Sequence, residues 1–217
     1  LRSFGDGAHE YGFKVSWYPV GGKNDYSLFA SVFNHYKNTY GDSVGMGFDG
    51  ASLQNYSYRE TWLNNELAKF QSNFGYKPEF GSAWYSDPLT LQWFSNIGVK
   101  AVFGLCWDQD VSVDSLGTVG APFFPYYPST NSVAVPAQDY ATKINIVMLD
   151  RITRNPYTYL KDGKYGSGFL GDQLAEGLID TNPPRLTYWI KLVMQILYQR
   201  KYNGFGVFQM YECDTAI

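Results

Sequence analysis

The sequence predicts a single α/β domain in which mostly parallel strands form a β/α barrel. Strands and helices alternate along the 217 residues. Several strands are short apolar runs, which is typical of strands buried on both faces of a parallel sheet. In addition, six strands each end in a polar or aromatic side chain. The carboxyl ends of barrel strands converge on one face, whereas those of an open sheet spread along an edge. We therefore favour the barrel over an open sheet.

Segments rich in β-branched and aromatic residues predict the strands. They span 13–20, 43–48, 79–84, 99–107, 144–149 and 205–211. Gly21 and Gly22 close the first strand, and Asp49 and Gly50 follow the second. The connection 112–140 is rich in Pro, Gly, Ser and Tyr. Loops of this length in a compact domain are usually functional or disordered, and the aromatic content favours an ordered, functional loop.

Apolar periodicity and terminal signals predict the helices. They span 1–11, 25–40, 58–74, 88–96 and 184–202, with a short helical piece at 171–177. Gly41 and Gly75 follow the second and third helices, as expected of helix stops. Asp87 and Pro88 supply an N-cap and a proline at the first helical position.

Composition excludes some classes of function and favours others. The net charge is -3 and the 17 basic residues are scattered, which argues against nucleic acid because phosphate binding needs clustered Lys and Arg. Aromatic residues make up 18% of the chain, roughly twice the share expected of an average domain. Their excess at loop positions suggests a carbohydrate surface, and composition alone supports a general protein-contact surface equally. No run of 18 apolar residues exists, so no membrane insertion is predicted.

The ends of the chain and its cysteines give further expectations. The chain opens in the tail of a helix and stops just after a strand, so we expect a barrel incomplete at one or both ends, with additional domains in a longer parent chain. No targeting segment is visible, and the compartment is not predicted. Cys106 and Cys213 fall at the ends of predicted strands, which favours buried free thiols over a disulfide or a reactive role.

Carboxylates that follow apolar strands are the candidate catalytic groups. Glycoside hydrolysis needs two carboxyl groups that face each other across a sugar, one protonated and one ionised. Asp108 and Glu212 are the best candidates because each follows an apolar strand in a distant part of the chain, and Asp49 is the third. The alternative for each is a cap or turn carboxylate that contributes about 1 kcal/mol to the fold and nothing to catalysis.

Aromatic and amide side chains near the same strand ends are the candidate sugar contacts. They are Trp17, Trp84, Trp107, Gln109, Tyr126 and Tyr127. An indole offers a face on which a sugar ring stacks, and the amide bonds a hydroxyl. The tyrosines lie between prolines on a stiffened loop suited to covering a cleft. The alternatives are that the tryptophans fill the barrel, that the amide satisfies backbone, and that the tyrosines clamp the loop down.

Motifs in order along the chain carry a family resemblance. They are Val15-Ser-Trp17, Tyr40-Gly-Asp42, Gly75-Tyr-Lys-Pro78, Gly104-Leu-Cys-Trp-Asp-Gln109, Pro125-Tyr-Tyr-Pro-Ser129 with Pro136-Ala-Gln138, and Asn203-Gly-Phe-Gly206. In these motifs the chain resembles an uncharacterised family within the glycoside hydrolase/deacetylase superfamily of irregular, seven-stranded β/α barrels. The resemblance implies the barrel fold, whereas the family has no established activity to carry over.

The histidine content separates the chain from the metal-dependent deacetylases of that superfamily. Those enzymes hold a divalent ion with an adjacent Asp pair and a His-x-x-x-His pair. This chain has 2 histidines, His9 and His35, far apart on predicted helices, and no strand ends in Asp-Asp. We therefore predict no metal and no other cofactor. An all-oxygen site at Asp49, Asp108 and Asp110 is the alternative, although no loop motif supports it.

These features together predict a carbohydrate-active, glycoside hydrolase-like domain. It would hydrolyse a glycosidic bond in an oligo- or polysaccharide with a carboxylate pair at the barrel mouth. A non-catalytic carbohydrate-binding barrel is the main alternative, and a diverged polysaccharide deacetylase is the weaker one.

Overall fold

The computed structural model describes residues 2–22, 25–48, 58–83, 87–103 and 125–149. Those ranges contain four α-helices and seven short strands. Across them, no helix has the length and apolar character needed to cross a membrane. The predicted helical segments 171–177 and 184–202, the predicted strand 205–211 and both cysteines lie outside the described residues.

The helices begin and end at the signals that the sequence carries. Their bounds are α1 Arg2–Glu10, α2 Tyr26–Tyr40, α3 Arg59–Phe74 and α4 Pro88–Asn96. Asp25 and Asp87 cap α2 and α4, each accepting a backbone N–H from the first turn at 2.9 and 2.7 Å. Gly41 and Gly75 end α2 and α3 in the left-handed region, with φ of 73° and 84°. Glycine adopts this conformation without a steric penalty, so the predicted cap at Asp87 and the predicted stops at Gly41 and Gly75 are confirmed.

The strands are shorter than predicted, and the first two predicted strands are each divided. The bounds are β1 Ser16–Trp17, β2 Val20–Gly21, β3 Ser43–Val44, β4 Met46–Phe48, β5 Gly81–Ala83, β6 Ala101–Phe103 and β7 Val147–Leu149. Pro19 lies at the first division and cannot donate to a ladder. Its carbonyl still accepts from Gly47 N at 3.0 Å, and Trp17 O accepts from Gly45 N at 2.8 Å. Pairing therefore continues across both divisions.

Five strands form one parallel sheet in chain order. The order is β2-β4-β5-β6-β7, and β1 pairs with β3, also in parallel. One row of paired residues crosses the whole sheet through Val20, Gly47, Ser82, Phe103 and Leu149. An open doubly wound sheet reverses its strand order at a switch point. Among the described strands the order does not reverse, which is consistent with part of a β/α barrel and confirms the parallel α/β class.

The outer edge of β7 departs from a regular barrel. Tyr126 pairs with Met148 in the antiparallel sense, through N–H to carbonyl bonds of 3.2 and 2.7 Å. Met148 therefore has β6 on one side and this antiparallel segment on the other. In a regular β/α barrel, both neighbours of a strand are parallel. The pairing also holds the described part of the long connection in place.

Aromatic rings join the helices to each other and to the sheet. Tyr26 and Phe33 of α2 meet Phe70 and Phe74 of α3, with ring centroids 5.9 and 6.2 Å apart. Phe48, at the end of β4, is fully buried and packs on rings from α3 and α4. Each such ring pair contributes about 0.5–1.5 kcal/mol beyond its buried area. The end of β4 is therefore packed against α3 and α4.

Candidate functional site

The carboxyl ends of the parallel strands define one edge of the sheet. One row of paired residues crosses all five strands, and each strand ends within about two residues of that row. The five strand ends therefore lie side by side. The strands end at Gly21, Phe48, Ala83, Phe103 and Leu149. We call this the carboxyl edge. It is the edge at which β/α folds bind their ligands.

Most of the predicted site residues follow these strand ends. Asp49 comes directly after Phe48, and Trp84 directly after Ala83. Trp107, Asp108 and Gln109 come later in the segment after β6, and Glu212 follows the predicted strand 205–211. All six lie outside the described residues, so their roles stay predictions. Asp110, the remaining member of the all-oxygen alternative, also lies outside them.

Glu66 of α3 is a buried carboxylate that supports the carboxyl edge. It is 3% exposed. Its Oε2 accepts from Gly22 N and from the Tyr26 hydroxyl, both at 3.1 Å. Its Oε1 accepts from Lys69 Nζ at 2.7 Å. Gly22 directly follows β2, so Glu66 fixes the turn by which the chain leaves that strand. Burial, and next the Glu66 charge, raise the pKa of Tyr26 well above its usual value, so its hydroxyl stays a donor.

Sequence reasoning missed Glu66, although the helix carries a signal for it. The buried residues of α3 are Arg59, Leu63, Glu66, Phe70 and Phe74. They recur every three or four positions, as the buried face of a helix does. Two of the five are charged, and buried charges need partners. A charged residue that falls on the apolar face of a helix therefore predicts a buried charge that has partners, such as Glu66.

Arg59 is the second buried charge of that stripe. Its guanidinium pairs with the carboxylate of Asp87, and the two side chains are 6% and 14% exposed. Arg59 begins α3 and Asp87 caps α4, so the pair joins the starts of the helices that come after β4 and β5. Breaking such a buried pair is costly, because it leaves a charge without compensation. The pair thereby fixes the start of α3 relative to the start of α4.

Trp17 lies in the core and not at an open surface. It is 6% exposed, and its ring stacks on Phe33 and Tyr36 with centroids 5.1 and 5.2 Å away. Its indole N–H donates to Asp42 Oδ2 at 2.7 Å. These contacts favour the alternative in which this tryptophan fills the interior. Asp42 directly precedes β3, so the cluster lies at the amino end of the sheet, away from the carboxyl edge.

The adjacent residues Tyr126 and Tyr127 have different surroundings. Tyr126 is 6% exposed, and its hydroxyl donates to Val133 O at 2.6 Å. Those contacts favour the alternative in which Tyr126 holds the loop against the protein, and they do not favour a role in sugar binding. Tyr127 is 43% exposed, and the Lys143 ammonium lies 3.7 Å from its ring centroid. Successive side chains of an extended segment point to opposite faces, which explains the contrast.

The two histidines are closer in space than their sequence separation indicated. His9 stacks on Tyr40 with centroids 3.9 Å apart, and His35 meets the edge of the same ring at 6.3 Å. His9 Nε2 lies 3.0 Å from Asp42 Oδ2. His35 is exposed on α2. In the part of the chain that the structure describes, no group of three or more His, Cys, Asp or Glu is placed to hold a metal ion.

Comparison with known proteins places the chain in a family and a fold. Residues 19–173 match the model of DUF3863, a domain of unknown function with a solved structure. A crystal structure from Parabacteroides distasonis, described as a candidate glycoside hydrolase/deacetylase, superposes with a TM-score of 0.57 at 18% identity over 70% of this chain and 37% of that one. A GH57-type branching enzyme from the hyperthermophilic archaeon Pyrococcus horikoshii gives a TM-score of 0.47 at 15% identity over 86% and 42%. No curated protein matches the sequence significantly.

Proposed function

Since this chain belongs to DUF3863, a family of unknown function, we propose its function from its fold: it is a carbohydrate-active, glycoside hydrolase-like domain. It hydrolyses a glycosidic bond in an oligo- or polysaccharide with a carboxylate pair at the mouth of an irregular β/α barrel. The observation that carries the proposal is the common level at which five parallel strands end. In β/α barrels, strands that end at one level bring the residues after each strand toward one place, and we expect the same of the polar and aromatic residues here.

The fold of the Parabacteroides protein supports the carbohydrate class. That protein, described as a candidate glycoside hydrolase/deacetylase, shares the fold over 70% of this chain. The chain spans 37% of that protein's length. Because one fold hosts many reactions, the reaction has to come from the site itself.

The proposed catalytic pair is Asp108 and Glu212, with Asp49 as the third candidate. One carboxyl group protonates the leaving oxygen while the other is ionised and acts as base or nucleophile. A separation of about 5–5.5 Å would make the reaction retaining, and about 6.5–9.5 Å would make it inverting. Trp84 and Trp107 supply the stacking faces, and Gln109 bonds a hydroxyl.

The described residues contribute by positioning the loops of this site. Glu66 fixes the turn after β2, and the pair of Arg59 with Asp87 joins the helices that follow β4 and β5. A catalytic constellation works only when its supporting residues hold it within about 0.5 Å of the productive geometry. These buried charges therefore support function as well as stability.

A non-catalytic carbohydrate-binding barrel is the second candidate. The observation that favours it is the exposure of Tyr127 and Tyr140, at 43% and 91%, because exposed tyrosines suit sugar stacking without any chemistry. A diverged deacetylase is less well supported. The two histidines of the chain lie on α1 and α2 against Tyr36 and Tyr40, and one of them is next to Asp42 at the amino end of the sheet.

A hydrolysis screen of the full-length protein with matched variants tests the proposal. We expect the parent to release reducing ends from one polysaccharide of a panel. Asp108→Asn and Glu212→Gln are expected to lower kcat by about 10²–10⁴, as is usual when a general acid or base is lost, with binding retained. Glu60→Gln, an exposed carboxylate in the first turn of α3, is the control and should match the parent. Turnover by both site variants at the parental rate would show that the pair is wrongly assigned, and binding without turnover by the parent would favour the second candidate.

A further inference from the structure

The segment around Tyr127 is a rigid part of the surface. Backbone bonds hold it on both sides: Ile144 N donates to Pro128 O at 2.9 Å, and Ala137 N donates to Tyr127 O at 2.9 Å. Ser129 pairs with Lys143 in the antiparallel sense. Pro128 has a fixed φ, and the buried ring of Tyr126 anchors the segment. Side chains on this segment are therefore pre-organised.

One ammonium lies over two exposed phenol rings on that surface. Lys143 Nζ is 3.7 Å from the centroid of Tyr127 and 5.4 Å from that of Tyr140. Both distances lie within the range of cation–π attraction. Tyr140 is 91% exposed, so most of its ring surface remains accessible. We call these three residues the tyrosine–lysine surface.

The charge of Lys143 is not neutralised by a described carboxylate. Within 125–149 the one acidic side chain is Asp139, and its Oδ1 accepts from Thr142 N and Thr142 Oγ1, each at 2.8 Å. The backbone N–H of Thr142 is the main cause of the lowered pKa of Asp139. None of the ion pairs among the described residues includes Lys143. Its ammonium can therefore bind an anion from outside.

We propose that the tyrosine–lysine surface binds an acidic sugar, a pyranose ring that carries a carboxylate. The ring stacks on Tyr140 through its C–H face, and the carboxylate pairs with Lys143. Because the chain has a net charge of -3, it has no general attraction for polyanions. Binding of an acidic glycan therefore has to come from a local feature of this kind.

This surface is separate from the proposed catalytic edge. The segment 126–130 runs antiparallel to β7, from a position opposite Met148 toward one opposite Lys143, which precedes β7. The tyrosine–lysine surface thus lies toward the amino end of β7, whereas the carboxyl edge begins after Leu149. Hydrolysis reports on the carboxyl edge and acidic-sugar binding reports on this surface, so either proposal can fail without the other.

Calorimetric titration of the full-length protein with a defined oligogalacturonate tests the proposal. The neutral comparison is the same oligomer as its methyl ester, which keeps the rings and removes the charge. We expect the acid form to bind about three- to fivefold more tightly than the ester, with an affinity that falls as NaCl is raised. Tyr140→Ala should weaken both forms about tenfold, and Lys143→Gln should remove the preference for the acid. Lys143→Arg retains the charge and should retain the preference.

Two exposed residues elsewhere serve as controls. Tyr11 is 79% exposed near the end of α1, and Lys100 is exposed before β6. Tyr11→Ala and Lys100→Gln should bind both oligomers as the parent does, and thermal unfolding verifies that every variant is folded. Equal affinity of the parent for acid and ester, an unchanged affinity in Tyr140→Ala, or no binding of the acid form would each overturn the proposal.

Discussion

Two buried carboxylates, Asp42 and Glu66, organise opposite ends of the sheet in closely similar ways. They are 2% and 3% exposed. Asp42 accepts from Val15 N at 3.0 Å and Trp17 Nε1 at 2.7 Å, with His9 Nε2 at 3.0 Å. Glu66 likewise accepts from one backbone N–H, one aromatic donor and one basic side chain. The chemistry is therefore shared, and the difference lies in which part of the molecule each carboxylate holds.

Asp42 joins α1 to the amino end of the sheet, whereas Glu66 joins α3 to the turn after β2 at the carboxyl edge. In β/α folds the amino end serves stability and the carboxyl end carries the ligand site. Loss of Asp42 should therefore affect stability alone. Loss of Glu66 should affect both stability and the proposed activity.

Asp42→Ala is expected to have the largest effect on stability. It leaves the buried indole N–H of Trp17 and the backbone N–H of Val15 without their acceptor, and the expected loss is about 3 kcal/mol of the free energy of unfolding. Urea denaturation measures it, with the exposed Glu10→Ala as the control. Sugar binding per folded molecule should be unchanged. A loss below about 1 kcal/mol would mean that the cluster is not a structural anchor.

Glu66→Gln is expected to cost less stability but to lower function. The amide oxygen can replace one acceptor, so we expect a loss of about 1–2 kcal/mol in the free energy of unfolding. Because the turn after β2 loosens, kcat should fall more than KM changes. Steady-state kinetics on the substrate found in the hydrolysis screen measures both constants. If kcat and KM are parental while the protein is destabilised, Glu66 has a structural role only.

Tyr26 donates its hydroxyl to Glu66, so Tyr26→Phe tests the contacts of Glu66 through the pH dependence of stability. Tyr26 has a raised pKa when folded, and its usual value is 10.0, so the folded state retains a proton that the unfolded chain loses above about pH 10. Stability of the parent should therefore fall as pH rises above 10. Tyr76, whose pKa burial raises to about 12, adds to that fall between pH 10 and about 12. Tyr26→Phe should cost about 1 kcal/mol at pH 7 and make the alkaline fall shallower.

Urea denaturation at pH 8, 10 and 11 measures the alkaline effect. Tyr76→Phe is the matched control, because it removes its own contribution and leaves the Glu66 contacts intact. An alkaline slope in Tyr26→Phe equal to the parental slope would contradict the assignment of Tyr26 to the neutral donor role.

Lys69→Gln is expected to have the smallest effect. The Lys69 side chain is 65% exposed, whereas His9, the basic partner of Asp42, is 5% exposed. Exposed ion pairs contribute less than about 1 kcal/mol, so we expect a change below about 0.5 kcal/mol in the free energy of unfolding. His9→Ala should cost more, because it removes a buried contact with Asp42. Equal losses of stability in the two variants would contradict the expectation that the buried contact of His9 with Asp42 stabilises the fold more than the exposed pair of Lys69 with Glu66.

Local signals predicted the helices well, and long-range contacts limited the rest. Caps such as Asp25, Asp87 and Gly75 act within a few residues, so the bounds of α2 to α4 follow from the sequence. The division of the first strand at Pro19 follows from a missing donor, which the strand prediction overlooked. The burial of Trp17 depends on Asp42, which lies 25 positions away. Likewise, the difference between Tyr126 and Tyr127 depends on pairing with β7, which no local pattern specifies.

A crystal structure of the full-length protein with a bound oligosaccharide tests the central claim most directly. We expect the sugar to lie at the carboxyl edge, beyond the ends of β4 and β7. The carboxyl groups of Asp108 and Glu212 should flank it, about 5–10 Å apart. A sugar bound at the amino end near Asp42, or carboxyl groups on opposite sides of the sheet, would contradict the proposed active site.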